Sequence, residues 1–335
     1  RFRIMSELRI NNITDRVGSS GPIIAGVSTV TSTSHMVMPS GPTEMRGGRG
    51  RAIVFVGATP SNTTLIDAFD TTTAGNAFDF GDASAARYNN GFGGCASATR
   101  GVIADGTAME YVIFSSSGGA NDFGDHRVVS GSGAAIGHAA DGVRGLLAGG
   151  YNAPVNLNTI DFITIATTGK SSEYAEFDDG STGGYSPMAS PTRAVFARGG
   201  QNLNFINFTS GGKTQIFGDM RGDSRTAHIA SCSSSTRGIM AGGEAPSRVN
   251  TITFITLATL GNGTDFGDLL AGRNDHDAVS SSTRGFIVAG ANPSKTNSIE
   301  FVTIASTGNG QEFGDLTQAR SQPSSCSDVH GGLGD

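Results

Sequence analysis

Arginine and aspartate recur along this chain at nearly regular distances, and theirs is the first chemistry to explain. Arginines stand at Arg51, Arg100, Arg144, Arg193, Arg237 and Arg284, each opening an apolar run. Aspartates close a Phe-Gly-Asp triplet that begins at Phe80, Phe123, Phe217, Phe266 and Phe313, with a degraded copy at Phe177. Guanidinium and carboxylate in matched supply can do two things. They can pair and lock a repeat to itself or to its neighbour, which specifies register more surely than it adds stability. Alternatively they form a ring of charges that binds a ligand.

Other reactive side chains point away from catalysis. Cys95 and Cys232 each lie five residues before a repeat arginine, and Cys326 occupies the same slot of a closing strand. The remaining slots hold Ala139, Met188 and Val279, so the slot reads as a small buried apolar position. Equivalent slots in different repeats do not meet, so neither disulfides nor a metal cluster are expected. The histidines, His35, His126, His138, His228, His276 and His330, show no helical zinc spacing. Gly211–Thr214 (GGKT) lacks the upstream glycine of a phosphate loop, and no nucleophile elbow leads from a strand into a helix. Asp-Phe-Gly is also a kinase metal-binding triplet, but it recurs here without a phosphate loop or catalytic loop and reads as a turn. Arg221-Gly222-Asp223 is a single tripeptide in a Gly- and Asp-rich chain. No catalytic residue, metal or cofactor is expected, although a glycosidase-type carboxylate pair stays open.

The landmarks also count the elements. Phe-Gly-Asp copies are separated by 43, 54, 40, 49 and 47 residues, and repeat arginines by 49, 44, 49, 44 and 47. Both series give six units of about 47 residues. Within residues 276–316, four short segments are joined by Gly, Pro and Asn, which marks four strands per unit. Four-stranded units in series read as a β-propeller. Fifty glycines, 16% charged residues and no tryptophan suit short strands and many turns. A net charge of −6 disfavours nucleic acid as a partner. No apolar run reaches 18 residues, so membrane insertion is not expected.

At this point the chain resembles the kelch repeat. Gly149-Gly150, Gly199-Gly200 and Gly242-Gly243 match its glycine pair. Its third-strand aromatic corresponds to Phe69, Tyr111, Phe162, Phe205, Phe254 and Phe301. Its fourth-strand aromatic corresponds to Phe80, Phe123, Phe177, Phe217, Phe266 and Phe313, with Phe where kelch repeats carry Trp. Four of those pairs are 12 residues apart, the others 11 and 15. The resemblance implies an all-β fold: a six-bladed kelch-like propeller over residues 47–335, preceded by an extended β-rich arm over residues 1–46. The first unit lacks an inner strand, and Ser324–Asp328 has no unit after it, so that strand is expected to complete blade 1. The copper oxidases of this family gather Tyr, Cys and His, a grouping not seen here.

The arm, with short alternating segments and no core of its own, needs a partner chain. Met5 reads as a natural start, and no charged-then-apolar leader is seen. Residues 5–42, containing "INNITDRVGSSGP" and "MPSGP", resemble N-terminal strips of virion structural and tail-fibre proteins of marine bacteriophages, cyanophages especially. That resemblance implies a non-enzymatic homo-oligomer on the virion, on the tail or capsid exterior. It would attach to other virion proteins through the arm and present the propeller, with a host-surface glycan or protein as the outward partner. Blade 3 departs most from the repeat, so Tyr151, Tyr174, Asp178 and Tyr185 are the expected ligand-binding residues. A glycan-binding lectin, or a glycan-active enzyme on a propeller scaffold, is the alternative.

Overall fold

Each repeat folds as an antiparallel sheet because its apolar run, its β-branched run and its small-residue strand are too short for anything but hairpins. The computed structural model describes residues 50–87, 93–127, 136–152, 154–178, 185–198, 202–220, 228–244 and 246–334. The expected arm, Gly199-Gly200 and Arg221-Gly222-Asp223 lie outside the described residues. Strands are named A to D from axis to rim. Blade 2 is Cys95–Ala96, Arg100–Asp105, Ala108–Ile113 and Asn121–Asp125. Blade 3 is Ile136–Ala140, Arg144–Gly149, Thr159–Thr164 and Ser172–Glu176; blade 4 is Tyr185–Ala189, Arg193–Arg198, Asn202–Asn207 and Gln215–Asp219. Blade 5 is Ala230–Ser233, Arg237–Ala241, Thr251–Thr256 and Thr264–Asp268; blade 6 is Asp277–Ser280, Arg284–Val288, Thr296–Thr303 and Gln311–Arg320.

Blade 1 closes the ring. Its strands B to D are Arg51–Phe55, Thr63–Asp70 and Phe78–Arg87, and its strand A is Ser324–Ser327. Cys326 pairs with Ile53 in the register by which Cys95 pairs with Val102 and Cys232 with Ile239. The closing strand therefore fills the same slot as its sisters. Asp328 completes the imitation. Its carboxylate accepts the Arg51 N–H at 3.0 Å, as the Ser234 hydroxyl accepts that of Arg237 at 3.1 Å.

The core is six clusters, one per seam between neighbouring blades. Ile53, Ile103 and Cys326 share one, and Cys232, Ile239 and Ile287 another. Each blade also carries a register shift between strands C and D at the same place, and blades 1 and 6 carry a second, at Thr63/Leu65 and Thr296/Ser298. In blade 5 the shared shift falls between Ile252 and Thr253. The extra residue there is Phe266, whose ring is buried while its neighbours Asp265 and Asp268 are exposed.

That bulge corrects two expectations about the repeat. In blade 3, Ile160 pairs with Ala175 and Asp161 with Glu173, so the bulged aromatic is Tyr174 and not Phe177. Tyr174-Ala175-Glu176 takes the place of Phe-Gly-Asp. Tyr174 meets Phe162 edge-on at 5.7 Å, just as Phe266 meets Phe254 at 6.0 Å. In blade 1, Ile53 pairs with Ala68, so Ala68 and not Phe69 stands at the third-strand aromatic position. Phe69 instead turns into the seam against Phe286, with ring centroids 5.3 Å apart. The true spacing from strand C to strand D is 12 residues in all six blades.

Candidate functional site

The recurring chemistry is spent at the seams. No repeat arginine is ion-paired with a Phe-Gly-Asp aspartate among the described residues, which overturns the expected pairing. Five of the six guanidiniums, all but that of Arg144, instead lie against an aromatic ring of their own blade, and all six donate to a backbone carbonyl of the next. Arg237 stands 4.3 Å from the Phe254 ring centroid and donates to Ile304 O at 2.9 Å. Arg100 over Tyr111 reaches Ile165 O at 3.0 Å, and Arg193 over Phe205 reaches Leu257 O at 2.9 Å. Arg51 reaches Phe114 O and Arg144 reaches Phe208 O. Arg284 closes the set on Thr72 O at 3.1 Å. Lacking a ring at Ala68, Arg51 sits beside Phe78 and Phe80.

Phe-Gly-Asp is the second stitch. The Phe and Asp carbonyls accept N–H groups from the turn between strands C and D of the next blade, as Phe217 O accepts from Gly261 at 3.1 Å and Asp219 O from Gly263 at 2.8 Å. The triplet glycine is required because a Cβ there would collide with that turn: with Gly118 for Gly81, Gly169 for Gly124 and Gly261 for Gly218. The glycine after the repeat arginine is a third stitch, a hole for the slot residue of the preceding blade. Cys95 Sγ would be 2.6 Å from a Cβ at position 145, and Met188 Sδ 2.6 Å from one at 238. Cys95 and Cys232 are buried, and burial pushes both thiols up, so they are inert packing groups.

A fourth device was missed from the sequence. The strand C residues facing Arg+3 are Asp67, Glu110, Asp161, Asn204, Thr253 and Glu300, all buried. Four of the six are acids, and each receives an arginine from the end of the preceding blade. Arg87 meets Glu110 at 2.7 Å and Arg127 meets Asp161 at 2.8 Å. Arg273 pairs with Glu300 and Arg320 with Asp67, both fully inside the protein. Asn204, where blade 3 supplies no arginine, has neither amide atom partnered among the described residues. The signal was available: Arg87, Arg273 and Arg320 each lie seven residues after a strand D phenylalanine.

The axis is narrow. Strands A present serines whose hydroxyls tie one blade to the last: Ser231 to Pro187 O at 2.7 Å, Ser233 to Ala189 O at 2.8 Å and Ser280 to Ser233 O at 2.6 Å. They leave a cavity of about 50 Å³, lined by Gly94, His138, Ser280, Cys326 and His330 among others. That is room for a water or two. Residues after the closing strand cross one end. His330 Nδ1 accepts the Gly332 N–H at 3.1 Å, so its Nε2 carries the proton and donates to Ala96 O at 2.8 Å. Beside the axis, Asp277 is buried, accepting from Ser325 Oγ at 2.6 Å and from the Gly93 N–H at 3.1 Å. Burial raises its carboxyl to about 7. Burial likewise drives the neighbouring His276 imidazole down to about 3.

A polar row lies where strands A of blades 5, 6 and 1 begin. His228 Nδ1 is 2.8 Å from Asp275 Oδ1, and Gln322 Nε2 donates to the same oxygen at 3.3 Å. The Asp275 bond holds the His228 imidazole above its usual range. Burial alone would lift Asp275, but the bonds from His228 and Gln322 leave it below its usual value.

The residues singled out from sequence do not all belong to blade 3, because Tyr185 opens strand A of blade 4. Tyr185 is 0% exposed, stacked on Phe177 with centroids 4.1 Å apart. Tyr174 is half-buried, and its hydroxyl donates to Asn207 O at 3.1 Å across the seam to blade 4. Asp178 is exposed and pairs with Lys213 at 3.3 Å. Tyr151 lies in a short hairpin with Val155–Asn156, between strands B and C. No protein-family model matches the chain, and no curated protein matches it.

Proposed function

We propose that this chain is a non-enzymatic virion structural protein, of a tail fibre or appendage, whose propeller is a rigid display body. The observation that carries the reading is the use of every recurring chemical residue between blades. Arginine, Phe-Gly-Asp and the strand C acids all fasten one blade to the next, so the repeat builds a ring rather than a reaction centre. An axial space of about 50 Å³, crossed by His330 and Gly332, supports the same reading, since it is far smaller than a metabolite pocket of roughly 300 Å³ or more. The N-terminal residues, through their resemblance to phage virion strips, supply attachment and self-association, and the propeller faces outward. Intact particles test the assignment. Quantitative mass spectrometry and antibody labelling should find the chain in fixed stoichiometry on the tail or capsid exterior; absence from purified particles would overturn it.

A further inference from the structure

We propose that His228, Asp275 and Gln322 form a binding site for saccharide hydroxyls at the mouth of the axis, where strands A of blades 5, 6 and 1 begin. Each residue lies four positions before the slot residue of its strand: Cys232, Val279 and Cys326. Each has a left-handed backbone, with φ of 57°, 53° and 54°. At the same position the sequence places Gly91, Ala135 and Gly184 in blades 2, 3 and 4. Glycine takes such a backbone without penalty, whereas a side chain is strained there. A position that accepts glycine, yet holds His, Asp and Gln in three successive blades, is keeping those side chains for what they contact. Conformational strain of this kind gathers at functional sites.

The row is preorganised and incomplete. Asp275 Oδ1 takes both bonds, from His228 and from Gln322, and the Gln322 backbone N–H donates to Asp275 O at 2.7 Å. Asp275 Oδ2, Gln322 Oε1 and His228 Nε2 have no partner among the described residues. The His228 and Asp275 side chains are 36% and 22% exposed, so solvent reaches both. Two fixed acceptor oxygens beside an imidazole nitrogen call for a ligand rich in donors that can also accept. Vicinal sugar hydroxyls have that character, and charge-assisted bonds to a carboxylate are the stronger kind. Anions are disfavoured, because Asp275 is ionised and Glu244 adds its own negative field at His228. A metal is also disfavoured: no group of three His, Cys, Asp or Glu among the described residues is placed to hold one.

The site deepens the display reading, on which its biological purpose rests, by naming where a host-surface glycan would be held. Binding is measured on the full chain in solution, so its failure is distinct from failure of the particle assignment. Glucose, galactose, mannose and N-acetylglucosamine are titrated separately while the His228 imidazole resonance is followed by NMR, with inorganic phosphate as the anionic comparison. At least one sugar should shift that resonance saturably, and phosphate should not. Asp275→Asn keeps a residue that tolerates the left-handed backbone and should weaken sugar binding about tenfold or more. Gln322→Gly should weaken it without loss of fold, read from an unchanged melting temperature. A His228 resonance unmoved by all four sugars would overturn the proposal. So would equal sugar affinity in Asp275→Asn, which would leave the row as a clasp between blades.

Discussion

The N–H of Gly308 donates to the carbonyl oxygen of Phe266 at 2.8 Å, across the seam from blade 6 to blade 5. The two backbones come this close only because position 267 is glycine, with φ of 149° and no room for a Cβ beside the Gly308 carbonyl. Gly308 itself faces open space, with nothing within 4 Å of a built Cβ. Gly267→Ala should therefore destabilise the protein by about 2–3 kcal/mol through overpacking and strain. Gly308→Ala should be near neutral. Urea unfolding of the two variants checks this, and equal midpoints would show that the seam does not depend on the triplet glycine.

Arg237 fastens the seam separately, with a flat guanidinium that stacks on Phe254 while reaching Ile304 O. Lysine keeps the charge but neither the flat stack nor the fixed fork. Arg237→Lys should lower stability by about 1–2 kcal/mol, the sum of a stacking contact and a hydrogen bond. The loss should persist in high salt, since neither contact is an ion pair with a solvent-exposed partner. A lysine variant as stable as the parent would remove the arginine from the seam.

Six blades and the closing strand were legible in the sequence because both follow from periodicity, and periodicity is what a repeat displays. The strand order of blade 1, with Cys326 opposite Ile53, could be deduced from one orphan segment. The chemistry of the seams was not legible in the same way. The equivalents of Arg237 and Asp268 recur six and five times, yet they face different partners, because both bonds run to backbone of the next blade and backbone leaves no mark on composition. Blade 3 misled for a related reason. Phe177 looks like the triplet aromatic, but spacing from Phe162 selects Tyr174, and only the register of Ile160 opposite Ala175 settles it. The row of His228, Asp275 and Gln322 is invisible in sequence until the left-handed turn before each strand A is known.

Two buried groups near the axis should give opposing pH dependences. Asp277 has its folded carboxyl raised to about 7 by burial, despite bonds from Ser325, Ala278 and Gly93. The folded state then binds a proton that the unfolded chain has released, so this contribution is full below about 4 and is lost as pH rises to about 7. His276 is the reverse. Burial, with Arg273 adding to it, holds the imidazole down to about 3, so its contribution is full above about 6.5 and is lost as pH falls. Between about pH 4 and 6.5 the two slopes cancel. Asp277→Asn should unmask a stability that rises with pH across this window, and His276→Gln one that falls, each by at most about 1.4 kcal/mol per pH unit. Parallel pH profiles for the parent and both variants would refute the assignment.

Ring closure rests on residues far apart in sequence. Asp328 caps the Arg51 N–H, Ser327 pairs with Ala52, and Arg320 is buried against Asp67. Removing residues 320–335 takes away strand A of blade 1 and leaves the Asp67 carboxylate buried without its partner, so soluble folding should be lost. Removing residues 329–335 alone keeps the strand and the pair. That shorter truncation should fold, with a lower melting temperature because His330 no longer bridges to Ala96. A monomer lacking residues 320–335 that melted like the full chain would contradict the closure.

The aromatics at the seam of blades 3 and 4 separate structural from recognitional roles. Tyr185 is wholly buried between Phe177 and the backbone at Gly149, so Tyr185→Ala should cost about 3–5 kcal/mol through the cavity it leaves. Tyr174→Phe keeps the edge-on contact with Phe162 and removes the hydroxyl's bond to Asn207 O and its contact with Arg144, a loss of about 1 kcal/mol. Asp178 and Lys213 are 62% and 65% exposed, so their pair should contribute a few tenths of a kcal/mol at most and fade with salt. A double-mutant cycle on that pair, beside the two tyrosine variants, orders the three effects. Combining Tyr174, Asp178 and Tyr185 in one alanine variant would therefore unfold the blade before it reported on any ligand. Asp178→Ala alone leaves the fold intact and is the variant able to test whether this edge of blade 3 touches a host surface. If Tyr185→Ala proved as stable as Asp178→Ala, the burial that removes Tyr185 from recognition would be wrong.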